Sequence, residues 1–207
     1  MKRALLLFAK ERFSGMRSTH EQLHTNPNST LSHLAAPISP TPNLVIEAFL
    51  PRLNLDSDSF LVDLGCGDGR WLIAAHEHAK CRCLGIDVDE ERLTKARESI
   101  SKNKLNDVVK VRKKDVFEFV KEGDDIRVAD VIVVYLFREA MMEIGTLLRQ
   151  HLSSGHQRKD NSRKMVQILS VGFALPGWTP VHEEKIGGIR VYLYSSESDT
   201  LPSWKQY

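Results

Sequence analysis

The sequence predicts an α/β fold with a mostly parallel sheet closed by a C-terminal antiparallel hairpin, on three observations. Short apolar runs alternate with amphipathic stretches, the order expected of β/α units. The glycine-rich segment Asp63-Leu64-Gly65-Cys66-Gly67-Asp68-Gly69-Arg70 follows the apolar run Phe60-Leu61-Val62 and precedes a helical pattern. Gly187-Gly188 separates two strand-like segments, a strong two-residue hairpin signal.

Each element has its own signal. Thr41 reads as an N-cap and Pro42 as a first helical residue, so a helix is expected over 42–50. Residues 59–64 form a buried strand and 70–78 the helix after the glycine turn. A second strand over 81–88 is followed by a helix over 90–102. Strands follow at 108–113 and 130–136, with a weak helix between them at 116–121. Apolar residues at Met141, Met142, Ile144, Leu147, Leu148 and Leu152 make 139–152 helical. Residues 153–164 are polar and basic and read as a long loop. A fifth strand over 165–173 precedes the hairpin strands 181–186 and 189–195.

Composition bounds the function. With 207 residues and 42% apolar content, the chain has enough for one sizeable core. The expected division is a tail over 1–36 and a folded domain over 37–207. The balance of 29 basic and 27 acidic residues gives no overall basic field of the kind nucleic-acid binders show. No apolar run approaches the ~20 residues that span a bilayer. Cys66, Cys81 and Cys83 do not make a disulfide framework in a chain of this size, and they suit a reducing compartment. Cys81 and Cys83 lack further ligands at zinc spacing, and His76 and His78 face different sides of a helix, so no metal is expected. Residues 1–36, basic and poor in acids, read either as a mitochondrial presequence or as an ordinary tail of a cytoplasmic protein.

The glycine turn carries the chemistry. Gly65, Gly67 and Gly69 make G-x-G-x-G, whereas the nicotinamide fingerprint requires a glycine where Arg70 stands. A pyrophosphate needs bare backbone N–H groups at a helix N-terminus. S-adenosylmethionine instead brings an ammonium and a sulfonium, and Asp63 just ahead of the turn suits the ammonium. Asp87, at the end of the second strand, stands where an open α/β sheet places an acid for ribose hydroxyls, while Asp89 suits a helix cap. Asp115, after the third strand, reads either as an N-cap or as an acceptor for the adenine amino group, with the Val116 backbone as donor. Tyr135 ends the fourth strand at the switch point, where substrate meets cofactor. Trp178, between Pro176 and Pro180, is either core or the wall of an amine channel shared with Tyr135.

A run of β/α units closed by an antiparallel hairpin is the plan of the Rossmann-like class I methyltransferases. Pro40-Thr41-Pro42, the glycine turn, Gly177-Trp178-Thr179-Pro180 and Val191-Tyr192-Leu193-Tyr194 together resemble one group among them. These are the archaeal broad-specificity protein-lysine methyltransferases and the eukaryotic lysine methyltransferases of ATP synthase subunit c and adenine nucleotide translocase. The similarity covers about residues 39–196, and the segment 153–164 stands out from it as an insertion. The resemblance implies S-adenosylmethionine as cofactor, with Thr41 among its binding residues, no metal, a protein lysine as acceptor, and a mitochondrial location for the eukaryotic members. Two alternatives remain: an RNA methyltransferase, supported by the basic segment alone, and a non-catalytic assembly factor. Retention of Asp63, the three glycines and Asp87 speaks against the second.

Overall fold

The computed structural model describes residues 39–152 and 165–196; the tail 1–36 and the basic segment 153–164 lie outside the described residues. Helix α1 (Asn43–Phe49) runs into a 3-10 turn, Leu50–Arg52. Then come β1 (Phe60–Leu64), α2 (Arg70–Ala79), β2 (Arg82–Asp87) and α3 (Glu90–Lys102). They are followed by β3 (Val109–Lys113), α4 (Val116–Glu122), α5 (Asp124–Val128) and β4 (Val131–Val134). The chain continues through α6 (Arg138–Leu152), β5 (Gln167–Val171), β6 (His182–Ile186) and β7 (Ile189–Ser195).

All seven strands form one sheet in the order β3-β2-β1-β4-β5-β7-β6. Pairings from β3 through β5 are parallel, whereas β5–β7 and β6–β7 are antiparallel. The expected hairpin is present, but its second strand, not its first, lies against β5. Every residue of β1, β4 and β5 is buried, as expected of strands covered on both faces. Phe60, Val62 and Leu64 point into a core with α4, α5 and α6, and Leu61 into the opposite core with α1, α2 and α3. The order of the parallel strands reverses between β1 and β4, and a ligand site is expected beyond the carboxyl ends of those two strands.

Local differences from the sequence expectation have identifiable causes. α1 begins at Asn43, with extended Pro42 at the cap position and no side-chain cap bond. Thr41 therefore does not cap: it is buried, and its Oγ1 accepts from Trp71 Nε1 at 3.2 Å. The five-residue helix α5 was not expected, because one turn and a half carries too little periodicity to be seen. Asp89 caps α3 by accepting from the backbone N–H groups of Glu91 and Arg92, as expected. Among the described residues no helix is long and apolar enough to cross a membrane.

Gly85 on β2 shows how closely the glycine turn sits on the sheet. A Cβ built there lies 2.6 Å from Cys66 Sγ and 2.7 Å from Leu72 Cδ1. The residue is a close-approach glycine, the usual meaning of glycine inside a buried strand. Gly85→Ala is expected to destabilise the protein by about 1–3 kcal/mol through overpacking, read as a lower urea midpoint at unchanged slope.

Candidate functional site

The turn after β1 is fixed by hydrogen bonds to the end of β2. Gly65 N and Cys66 N both donate to Ile86 O, at 2.8 and 3.0 Å, and Gly67 N donates to Asp87 Oδ2 at 2.8 Å. Gly65, Gly67 and Gly69 have φ of 87°, 53° and 77°, a left-handed path that side chains with a Cβ rarely follow. Around Gly67 a Cβ would meet nothing within 4 Å, so the turn presents bare backbone to open space.

That space is a cavity of about 170 Å³ lined by Thr41, Asp63, Gly65, Gly67, Arg70 and Tyr135, among others. The chain ahead of α1 closes one side of it: Arg70 Nη1 donates to Thr41 O at 2.9 Å, beside the Trp71–Thr41 bond. Arg70 is held in turn by Asp68, 2.7 Å from its Nη2, and this pairing keeps the Asp68 carboxyl below its ordinary range.

Asp63 is the unusual member. It is 2% exposed, lines the cavity, and takes no hydrogen bond or ion pair from any described residue. Burial first, then the charges of Asp87 and Asp68, push its carboxyl well above the ordinary carboxylate range. A buried carboxylate without a donor is costly unless a ligand supplies a cation. This is the observation that fits an aminoacyl ammonium, and the bare glycine turn beside it fits a ligand that lies close along the backbone. Burial pushes the neighbouring Cys66 thiol up, away from the thiolate form.

The other expected residues divide. Asp87 is buried beneath the turn, its Oδ2 on Gly67 N and its Oδ1 on Asp89 N at 2.9 Å. Asp115 does cap α4, and both of its bonds, from Phe117 N and Glu118 N, fall on Oδ1. Val116 is the buried first residue of that helix. Asp87, Asp115 and Val116 lie outside the lining of the 170 Å³ cavity. Half-buried Tyr135 lines it, and also lines a larger groove of about 760 Å³ with Phe137, Phe173 and Tyr192. Burial raises the Tyr135 hydroxyl pKa, so it stays protonated at neutral pH.

Trp178 requires a correction. It lines neither cavity; it is 7% exposed and packs into the core under α6. Its Nε1 donates to Gly145 O at 3.1 Å, its ring meets Tyr194 edge-on at 6.0 Å, and the Arg149 guanidinium lies 5.0 Å from the ring centroid. A tryptophan satisfied on every side in this way is a packing residue. The sequence reading missed Gly85 as the seat of the turn and Arg70 as the tie to Thr41. Glycine within a buried strand was the available signal for the first.

Among the described residues no group of three His, Cys, Asp or Glu side chains comes together as a metal site. Cys66, Cys81 and Cys83 are free and buried.

Two measurements test this assignment. Because the folded Asp63 carboxyl lies above its unfolded value, its ionisation subtracts from stability as pH rises above about 3.9. Asp63→Asn is therefore expected to stabilise the cofactor-free protein, with a gain larger at pH 8 than at pH 5, read from urea midpoints. Trp178→Ala should cost about 3–5 kcal/mol by the same measurement, as for a buried aromatic. A loss below 1 kcal/mol would refute the packing role.

Comparison with known proteins agrees with this geometry. The family model described as ANTKMT methyltransferase domain matches residues 63–182. The chain is 29% identical over 163 residues to a protein-lysine N-methyltransferase of Saccharolobus islandicus, covering 76% of this chain and 92% of that one. It is 28% identical over 118 residues to the ribosomal protein L11 methyltransferase of Vibrio cholerae, but spans only 37% of that protein. The crystal structure of an RNA methyltransferase from Salinibacter ruber in complex with S-adenosyl-L-homocysteine superposes with a TM-score of 0.66 at 28% identity. That match covers 80% of this chain and 97% of the other. The chain thus belongs to the ANTKMT methyltransferase domain family, and it is an S-adenosylmethionine-dependent methyltransferase.

Proposed function

We propose that the acceptor is the Nε of a protein lysine, and that Tyr135 marks the point where that amine meets the cofactor. The observation that carries the proposal is the aromatic groove that shares Tyr135 with the cofactor-side cavity. Tyr135, Phe137, Phe173 and Tyr192 offer apolar faces to a four-carbon stem and π faces to an amine at its tip. The archaeal relative named a protein-lysine N-methyltransferase supports the same reading.

S-adenosylmethionine, when bound, supplies an activated methyl group on a positively charged sulfur. The protein's part is to hold, orient and dehydrate. Asp63 receives the ammonium, and the glycine turn admits the aminoacyl end without a Cβ in the way. Asp87 would serve the ribose from beneath the turn, while Asp115 and the Val116 backbone would serve the adenine. Thr41 closes the cavity as part of the segment tied down by Arg70 and Trp71.

A lysine amine is neutral in only roughly one molecule in a few thousand at pH 7. Desolvation against aromatic rings lowers its pKa, so the groove favours the nucleophilic form without a dedicated base. Tyr135 stays protonated and is not that base; its hydroxyl and ring orient the amine. A mitochondrial site of action belongs to the same proposal, supported by the basic, acid-poor residues 1–36. RNA as acceptor is the second reading, favoured by the likeness to the Salinibacter ruber RNA methyltransferase.

Incubating the protein with a cell extract and isotopically labelled cofactor, then mapping the label by mass spectrometry, separates the two. Label on lysine side chains is expected; label confined to RNA would overturn the proposal. With the labelled substrate in hand, Tyr135→Ala should lower kcat at least tenfold with cofactor affinity within about twofold. Asp63→Asn should instead weaken cofactor binding roughly 30-fold or more, as when a buried charge loses its partner.

A further inference from the structure

The larger groove has a charge pattern that methyl transfer does not require. Besides its aromatic residues it is lined by Arg138, Lys185 and Arg190, and among the described residues by no Asp or Glu. Arg190 is occupied by Glu183, with Nη1 2.5 Å from Oε1. The Arg138 guanidinium lies 5.5 Å from the Phe173 ring centroid, and neither Arg138 nor Lys185 is ion-paired with any described residue. Lys185 and Arg190 are direct cross-strand partners in the hairpin. Glu183 already offsets Arg190, so Lys185 is the hairpin cation left to meet an anionic ligand.

We infer that the groove selects its acceptor by an acidic side chain a few residues from the target lysine, received by Arg138 and Lys185. The inference rests on the protein-lysine reading. Two features favour a carboxylate on a polypeptide over a nucleic-acid backbone. The chain's net charge is only +2, and with Arg190 held by Glu183 the groove is left two cations rather than a stripe. Arg138 opens α6 just after β4, and Lys185 sits near the turn of the hairpin. The two cations come from different elements that converge on the groove Tyr135 borders. An extended peptide lying between them can present its lysine to Tyr135 and an acid to either cation. Such pairing sets which lysines are used more than how fast the methyl moves.

The full chain, labelled cofactor and a whole-cell extract of protein and RNA provide the test. Labelled lysines should carry Asp or Glu within about four residues more often than lysines of the extract at large. In a peptide copied from a labelled segment, replacing those acids by Gln should raise KM about two- to fivefold with kcat nearly unchanged, in line with partly exposed ion pairs. The double variant Arg138→Gln, Lys185→Gln should raise KM for the acidic peptide to that of its neutral version, with cofactor affinity unchanged. Labelled lysines without acidic enrichment, or equal KM for both peptides, would overturn the inference and leave lysine as acceptor. Label on RNA alone would overturn both.

Discussion

A carboxylate buried without a donor is the constraint around which the site is arranged. Asp63 and Asp87 end adjacent strands and are 2% and 3% exposed. Asp87 is compensated by two backbone N–H groups, one from the glycine turn and one from the start of the next helix. Asp63 has no such compensation among the described residues, and the charge of Asp87 raises its carboxyl pKa further. The protein thus carries an electrostatic cost that a cationic ligand removes. Folding stability and ligand binding are linked through that one residue. An arginine of the chain placed against Asp63 would stabilise the protein, but it would fill the cavity that Asp63 lines.

The neighbourhood keeps that position open and rigid. Ile86 and Asp87 fix the turn from below, and Gly85 lets Cys66 and Leu72 pack against the strand without a gap. Arg70, oriented by Asp68, holds the Thr41 carbonyl across the opening. None of these contacts touches the reacting atoms. They set the distance between Asp63 and the turn, on which alignment of a cofactor depends. The cofactor side is therefore preorganised by backbone hydrogen bonds between neighbouring strands, which shift less than long side chains do.

What the sequence reveals and what it hides follow from the same distinction. The strands, the turn and the acids at strand ends are local patterns, since burial on both faces and glycine spacing both leave a trace within ten residues. Asp89 was legible as a cap for that reason, and a cap was one of the two readings open for Asp115. Trp178 was not, because its partner Gly145 lies 33 residues away and only the packing of α6 brings the two together. Thr41 looked like a cap, but its hydroxyl is taken by Trp71, 30 residues on. Of the groove beside Tyr135, only Tyr135 itself was legible. The residues of the groove come from the ends of β4 and β5 and from the hairpin, and nothing local announces that these meet.

They meet because of the strand order. Had the hairpin joined the sheet through β6, β7 would form the edge, and a different set of residues would stand beside β5. Insertion of β7 between β5 and β6 pairs Val191 with Val171, so the Gly187-Gly188 turn falls at the carboxyl ends of the parallel strands. That end is where β1 and β4 leave the sheet toward the glycine turn and Tyr135. The parallel half of the sheet thus supplies the smaller cavity, and the antiparallel end supplies Lys185, Arg190 and Tyr192 to the larger groove. Tyr135 borders both because β4 is the first strand beyond the switch point. Changes to the hairpin surface can then reshape the groove while leaving the hydrogen bonds around Asp87 and the glycine turn intact. Acceptor choice can diverge within such a family on a fixed cofactor site.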